Sequence, residues 1–142
     1  MSDHRQINPP GFEGYVDDWQ MSPGLVANGF LFLTGMTGHF ADKPGAPPTP
    51  EDQARIAFER VAAVLEEAGC GWSDVVEMTS YHVDIHETLP SFRTVRARVV
   101  TQPFPAWTAI GVAALATPGV MHEVRVVARV PDTAPYDHAR DV

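Results

Sequence analysis

Two stretches of this chain hold the residues best suited to chemistry. The first is Phe104-Pro105-Ala106-Trp107-Thr108-Ala109-Ile110-Gly111-Val112. The second is Val120-Met121-His122-Glu123-Val124-Arg125-Val126-Val127-Ala128-Arg129-Val130. Both alternate with the two-residue period of a strand. In the second, Val120, Val124, Val126, Ala128 and Val130 share one face. Met121, Glu123, Arg125 and Arg129 share the other. A core does not tolerate such charges unpaired, so that other face meets water, a ligand or another subunit. Glu123 is the group there that can accept a proton. Arg125 is the cation, able to hold an anion or to pair with Glu123. A third group is His82, Asp84 and His86, spaced i, i+2, i+4, which one strand face could present to a metal. No cysteine ligand accompanies them and no residue is placed to orient the imidazoles. The simpler reading is an interior His82, with Asp84 and His86 at a strand end in solvent. Cys70 is the one cysteine, and nothing basic adjoins it to lower its pKa.

The elements that must position these residues follow from pattern and punctuation. Residues 1–20 are polar and broken by Pro9, Pro10, Gly11 and Gly14, which reads as irregular chain. Leu25 to Gly35 reads as a hairpin turning at Asn28-Gly29, the pair that favours a two-residue turn. Residues 37–50 form a Gly/Pro-rich loop, long for a compact domain and suited to a lid or rim. Thr49, Pro50 and Asp52 start a helix by hydroxyl cap, proline at the first position and acid in the first turn. Ala54, Ala57, Val61, Leu65 and Ala68 give it one apolar stripe, and Gly69 ends it. Val75 to Ile85 is a strand. A second helix runs from about Leu89 to Thr101, capped by Glu87 or Thr88, with Phe92, Val95 and Val99 as its stripe. The last two strands, joined through Ala116-Thr117-Pro118-Gly119, read as a second hairpin. That would set Trp107 and Glu123 on the same side. Residues 131–142 read as a frayed tail.

The order is hairpin, helix, strand, helix, hairpin. It predicts one α+β domain over 1–142, a mostly antiparallel sheet with two helices on one face. The chain of 142 residues is long enough for a substantial core. It carries 18 acidic and 10 Lys+Arg residues, a net charge of −8. That disfavours nucleic acid as a partner, because phosphate binding needs a positive surface. No apolar run reaches the roughly 20 residues that span a bilayer. The N-terminus has no signal-peptide core, so a reducing cytoplasm is the expected setting.

The motifs also resemble a known family. Thr34-Gly35 closing a strand, Leu89-Pro90-Ser91-Phe92-Arg93-Thr94-Val95-Arg96 opening a helix, Pro105-Ala106-Trp107 and Glu123 are similar to the RidA/YjgF family. These are small enamine/imine deaminases earlier known as endoribonucleases. The resemblance implies a chorismate-mutase-like fold, a homotrimer built around a central barrel, and ligand clefts between neighbouring subunits. It implies no cofactor and no metal. It makes Glu123 the holder of the attacking water, and it places Thr34, Gly35, Trp107 and Ala109 along the cleft. The family's carboxylate-binding arginine is Trp107 here, and its cysteine two residues on is Ala109. Its N-terminal tyrosine falls near Met21. The expectation is a small-molecule hydrolase of the deaminase type that does not use classical 2-imino acids, Arg125 being the cation on hand. The alternative is a non-catalytic trimeric binding or regulatory protein.

Overall fold

The computed structural model describes residues 3–38 and 49–132. Seven strands, β1(Arg5–Ile7), β2(Gly24–Ala27), β3(Phe30–Leu33), β4(Met36–Thr37), β5(Val75–Val83), β6(Ala106–Val112) and β7(His122–Arg129), make one sheet. The order is β1-β2-β3-β7-β5-β6, with β4 beside β7 below the end of β3. The helices are α1(Glu13–Trp19), α2(Pro50–Glu67) and α3(Ile85–Ala97). The architecture is α+β with a mixed sheet, since β5 and β6 run parallel and every other pairing is antiparallel. Among the described residues no helix is long and apolar enough to cross a membrane.

Local chemistry accounts for most elements. Asn28 and Gly29 both take positive φ, 53° and 79°, the pair of angles a two-residue hairpin turn with matching twist requires. Thr49 accepts a hydrogen bond from the Asp52 amide at 3.2 Å and Pro50 fills the first position of α2. The stripe Ala54, Ala57, Val61, Leu65 is buried, together with Ile56, Phe58 and Val64. Gly69 ends the helix at φ 78°. The core lies between α2, α3 and one sheet face. There Leu31, Leu33, Met36, Met78, Val124, Val126 and Ala128 meet Phe58, Val61, Leu65, Phe92 and Val95.

Four expectations need correction. Residues 1–20 are not irregular, because they contain β1 and α1. Phe12, Tyr15, Val16 and Trp19 recur at helical spacing, which was the available signal. At 7 residues α1 is too short to be stable alone. The second helix begins at Ile85 rather than Leu89 and ends at Ala97. Pro90 suggests a first turn, yet lies inside the helix. The strand before it stops at Val83, since Asp84 turns at φ 51°. Val75 is buried and Val76 exposed because a bulge falls between Val75 and Glu77. The last two strands do not form a hairpin. The run β5–α3–β6 is a strand–helix–strand crossover that lays β6 parallel to β5, so β5 separates β6 from β7. The loop expected to act as a lid lies mostly outside the described residues, as does the tail beyond 132.

A buried polar chain crosses this core. The Trp107 indole N–H donates to Ser80 Oγ at 2.8 Å. Ser80 Oγ lies 2.8 Å from His82 Nε2, His82 Nδ1 lies 3.1 Å from His122 Nδ1, and His122 Nε2 lies 3.2 Å from the Pro50 carbonyl. Both ends of the chain are fixed, because an indole only donates and a carbonyl only accepts. The tautomers follow by elimination. His122 is protonated on Nε2, His82 on Nδ1, and Ser80 gives its proton to His82 Nε2. Every group is satisfied only while both imidazoles are neutral.

Burial, with the neighbouring His82 adding, pushes His122 down to about 4, and burial lowers His82 as well. The unfolded chain binds these protons near pH 6.5 while the folded chain refuses them. The pair's stabilisation is therefore complete above pH 6.5 and lost as pH falls from there toward 4. For His122 it is worth on the order of 3 kcal/mol. Urea unfolding measured across that window should show the loss. A flat stability profile between pH 6.5 and 4 would contradict the neutral pair.

Candidate active-site cleft

Thr34 and Gly35 interrupt the edge of the sheet between β3 and β4. Phe32 pairs with Val127 and Met36 with Val124, so three residues of one strand oppose two of β7. This bulge brings the Gly35 backbone beside Glu123. A Cβ on Gly35 would stand 2.5 Å from both Cδ and Oε2 of Glu123. Only glycine lets the carboxyl group lie against the chain here. The Thr34 hydroxyl is engaged elsewhere, donating to the Ser22 carbonyl at 2.8 Å while its amide donates to Pro23 O at 3.0 Å. It pins the segment that leaves α1.

The cleft beside Glu123 has a volume of about 540 Å³. Its lining includes Phe12 at the cap of α1, Tyr15 and Trp19 of α1, and Gly35, Arg60 and Glu123. Phe12 and Tyr15 stack at 5.5 Å, and the Tyr15 hydroxyl donates to Met36 Sδ at 3.3 Å. An Arg60 guanidinium nitrogen donates to the Thr37 carbonyl. The Glu123 carboxyl group makes no hydrogen bond or ion pair with any described residue, and burial raises its pKa above the usual 4.5. Tyr15 is raised too, by burial first and by the charge of Glu123, with Arg60 acting against the rise. The arrangement is a poised acid–base carboxyl group, an aromatic wall and a nearby cation.

Of the residues picked from the sequence, Glu123 and Gly35 meet in this cleft. Thr34 borders it with its hydroxyl committed, and Arg125 pairs with Thr79 of β5 outside it. No Arg125–Glu123 ion pair forms. Trp107 and Ala109 are also elsewhere. They face the helix layer, with Met78 and Ser80 as register partners, whereas Glu123 points to the opposite face. The same-side placement of Trp107 and Glu123 is thus overturned by β5 lying between their strands. Tyr15 and Arg60 were missed. Met21, where the resemblance sets the family's tyrosine, lines the cleft together with Tyr15.

His82 is fully buried in the histidine chain, while Asp84 and His86 are exposed beyond the strand. The strand face that would have aligned the three ends before two of them. Cys70 is pushed up to about 11 by burial, with Asp74 adding to the rise, so it is not an activated thiol.

Fold and cleft define a small α+β domain with a mixed sheet, α2 and α3 over one face, and a carboxyl-bearing cleft at an interrupted strand. The comparisons name the class. The family model "Endoribonuclease L-PSP" matches residues 18–130, and the chain belongs to that family, known also as RidA/YjgF. The RutC family protein YjgH of Escherichia coli is 32% identical over 134 residues, covering 93% of this chain and 99% of that one. The solved structure of protein YjgH superposes with a TM-score of 0.81 at 30% identity, over 92% of this chain and 98% of that chain. A protein of unknown function, PA3499 from Pseudomonas aeruginosa, gives 0.81 at 26% identity, over 96% and 100%.

The Gly35 contact can be tested directly. Gly35→Ala should leave the fold intact, because the atoms it meets belong to the far end of a flexible side chain. Glu123 should be displaced into water and its pKa should fall back toward 4.5. Carboxyl carbon NMR titration of Glu123 reads this, and an unchanged titration would refute the contact.

Proposed function

We propose that this protein is a small-molecule hydrolase of the deaminase type. Glu123 holds the attacking water and takes its proton. The observation that carries this is the unpartnered, half-buried Glu123 carboxyl group set against Gly35 in a cleft of about 540 Å³. Its raised pKa suits a proton acceptor working near neutral pH. Tyr15 and the aromatic wall of α1 suit a ligand with an apolar body. No nucleic acid is invoked, and the net charge of −8 argues against one. Classical 2-imino acids are poor candidates. Trp107 brings no charge, and its only donor is spent on Ser80.

That last observation also favours a second reading, a binding or regulatory protein without turnover. Glu123→Gln separates the two, because it keeps shape and removes the charge. In the hydrolase, it should cut turnover by on the order of 10²–10⁴-fold with the fold retained. Burial of an ionised carboxylate costs stability, so the variant should also melt at an equal or higher temperature at neutral pH. An unchanged rate with any substrate found by screening would remove Glu123 from the chemistry.

The assembly we infer is a homotrimer, with clefts completed between subunits in the chorismate-mutase-like manner. The sheet face away from the helices exposes Phe30, Phe32 and Ile110, and among the described residues β6 has no partner on its outer edge. Apolar side chains beside an open strand edge are what a partner subunit covers. Light scattering of the purified protein should give three times the chain mass. A stable monomer would overturn the assembly.

A further inference from the structure

The side of α1 that lines the Glu123 cleft is aromatic and acidic at once. Tyr15, Asp18 and Trp19 all border the cleft, at the three- and four-residue spacing that sets side chains on one face of a helix. Phe12 continues this wall from the cap, its ring stacked on Tyr15 at an interplanar angle of 18°. Core packing does not account for Trp19. Its side chain is 58% exposed, and no residue of α1 is buried. An indole left open beside a cleft keeps a ring face available to a ligand.

The charge along that wall is negative. The seven residues of α1 include Glu13, Asp17 and Asp18 and no lysine or arginine. The Asp18 carboxylate folds back along the helix over Gly14, where an added Cβ would lie 3.4 Å from its Oδ2. Gly14 also lines the cleft, so the carboxylate is carried along its wall. Asp18 forms no ion pair among the described residues. From the sheet, Glu123 adds a second carboxyl group to the lining. One basic side chain stands against these two among the described lining residues. It is Arg60 of α2, which gives a guanidinium nitrogen to the Thr37 carbonyl. An anion in this cleft meets two acids. A cation is drawn by both, and by ring faces whose quadrupole is negative. Arg60 repels it from the α2 side, so it settles toward α1.

We propose that α1 makes this cleft a site for organic cations, ammonium or iminium ions carried on an aromatic or aliphatic ring. Trp19 offers the face on which the cation rests, and Asp18 supplies the counter-charge. Phe12 and Tyr15 form the apolar wall for the rest of the molecule. The proposal deepens the hydrolase reading and rests on it, because it fixes the sign of charge and the shape of what Glu123 would act on. Its test needs no turnover.

Benzylamine is the probe, an ammonium ion at about pH 7 as a lysine side chain is. Benzyl alcohol is the neutral control of the same shape, and benzoate the anionic one. Calorimetric titration should show benzylamine binding about tenfold more tightly than benzyl alcohol, the combined factor of one exposed cation–ring contact and one exposed ion pair. Benzoate should bind more weakly than either. Added salt should weaken benzylamine and leave benzyl alcohol unchanged. Trp19→Leu keeps an apolar side chain and removes the ring, and should cut the benzylamine preference by about twofold to fivefold. Asp18→Asn should cut it by up to about fivefold. Both positions are exposed, so both variants should fold as the parent chain does. Equal affinity for benzylamine and benzyl alcohol overturns the site. So does tightest binding by benzoate, an unchanged preference in either variant, or no benzylamine binding up to about 10 mM. Failed benzylamine binding beside a Glu123-dependent hydrolysis of another compound would sink the cation site alone. Intact benzylamine binding in a protein that turns over no substrate would sink only the hydrolase.

Discussion

The register of the last strand is the constraint on which the rest depends, and the contact between His82 and His122 is what fixes it. A sheet slip of one residue would exchange the two faces of β7. It would bring Glu123 into the core and turn His122 out. The hydrogen-bonded chain from Trp107 to the Pro50 carbonyl forbids this, because each donor in it has one acceptor and each acceptor one donor. A partly satisfied buried network is worse than none, so the chain holds as a unit or not at all. It also joins β6, β5, β7 and the start of α2 across the core. Gln53 adds a second clasp at the same end. Its Nε2 donates to the Gly119 carbonyl at 3.1 Å and its Oε1 accepts the Met121 amide at 2.9 Å. With His122 held inward, Glu123 has only the outer face left to it.

The cleft follows from that placement and from a defect in the neighbouring strand. Had β3 continued straight into β4, a side chain at position 35 would occupy the space of the Glu123 carboxyl group. The bulge at Thr34-Gly35 and the lack of a Cβ open it. The Thr34 hydroxyl then ties the bulge to Ser22, where the chain leaves α1, and Tyr15 of α1 lines the same cleft as the carboxyl group. Thr34 therefore acts on the site through backbone position, whether or not a ligand touches it.

How much of this was legible in the sequence depended on whether the cause was local. Asn28-Gly29, Thr49-Pro50, the α2 stripe and the faces of β7 are each decided within a few residues, and each was found. The sheet order was not, because β6 and β7 adjoin in sequence and a short turn suggests a hairpin. The competing cause is the β5–α3–β6 crossover, a longer-range preference that a scan of adjacent strands does not weigh. Once β5 intervenes, alternation alone sends Trp107 to the helix side. Tyr15 was hidden by a similar error. Two prolines and two glycines outweighed the spacing of Phe12, Tyr15, Val16 and Trp19, although Gly11 serves only to turn the chain, at φ 89°, before the helix begins. The pairing of His82 with His122 was out of reach, since nothing within either strand announces a partner on the other.

The tryptophan at position 107 is tied into its surroundings by several contacts at once. Its N–H needs the Ser80 hydroxyl, its ring stacks with Phe92 at 6.1 Å, and its open face needs a cover, which Arg96 supplies. A guanidinium in its place would lie beside Arg96 and against the neutral histidine chain. Like charges at that range oppose one another, and the buried imidazoles could not answer by taking up a negative charge. The cation of this region is Arg96 of α3. In this chain it stands on the helix. The Trp107 indole links that surface cation to the buried hydrogen bonds that set the register of Glu123.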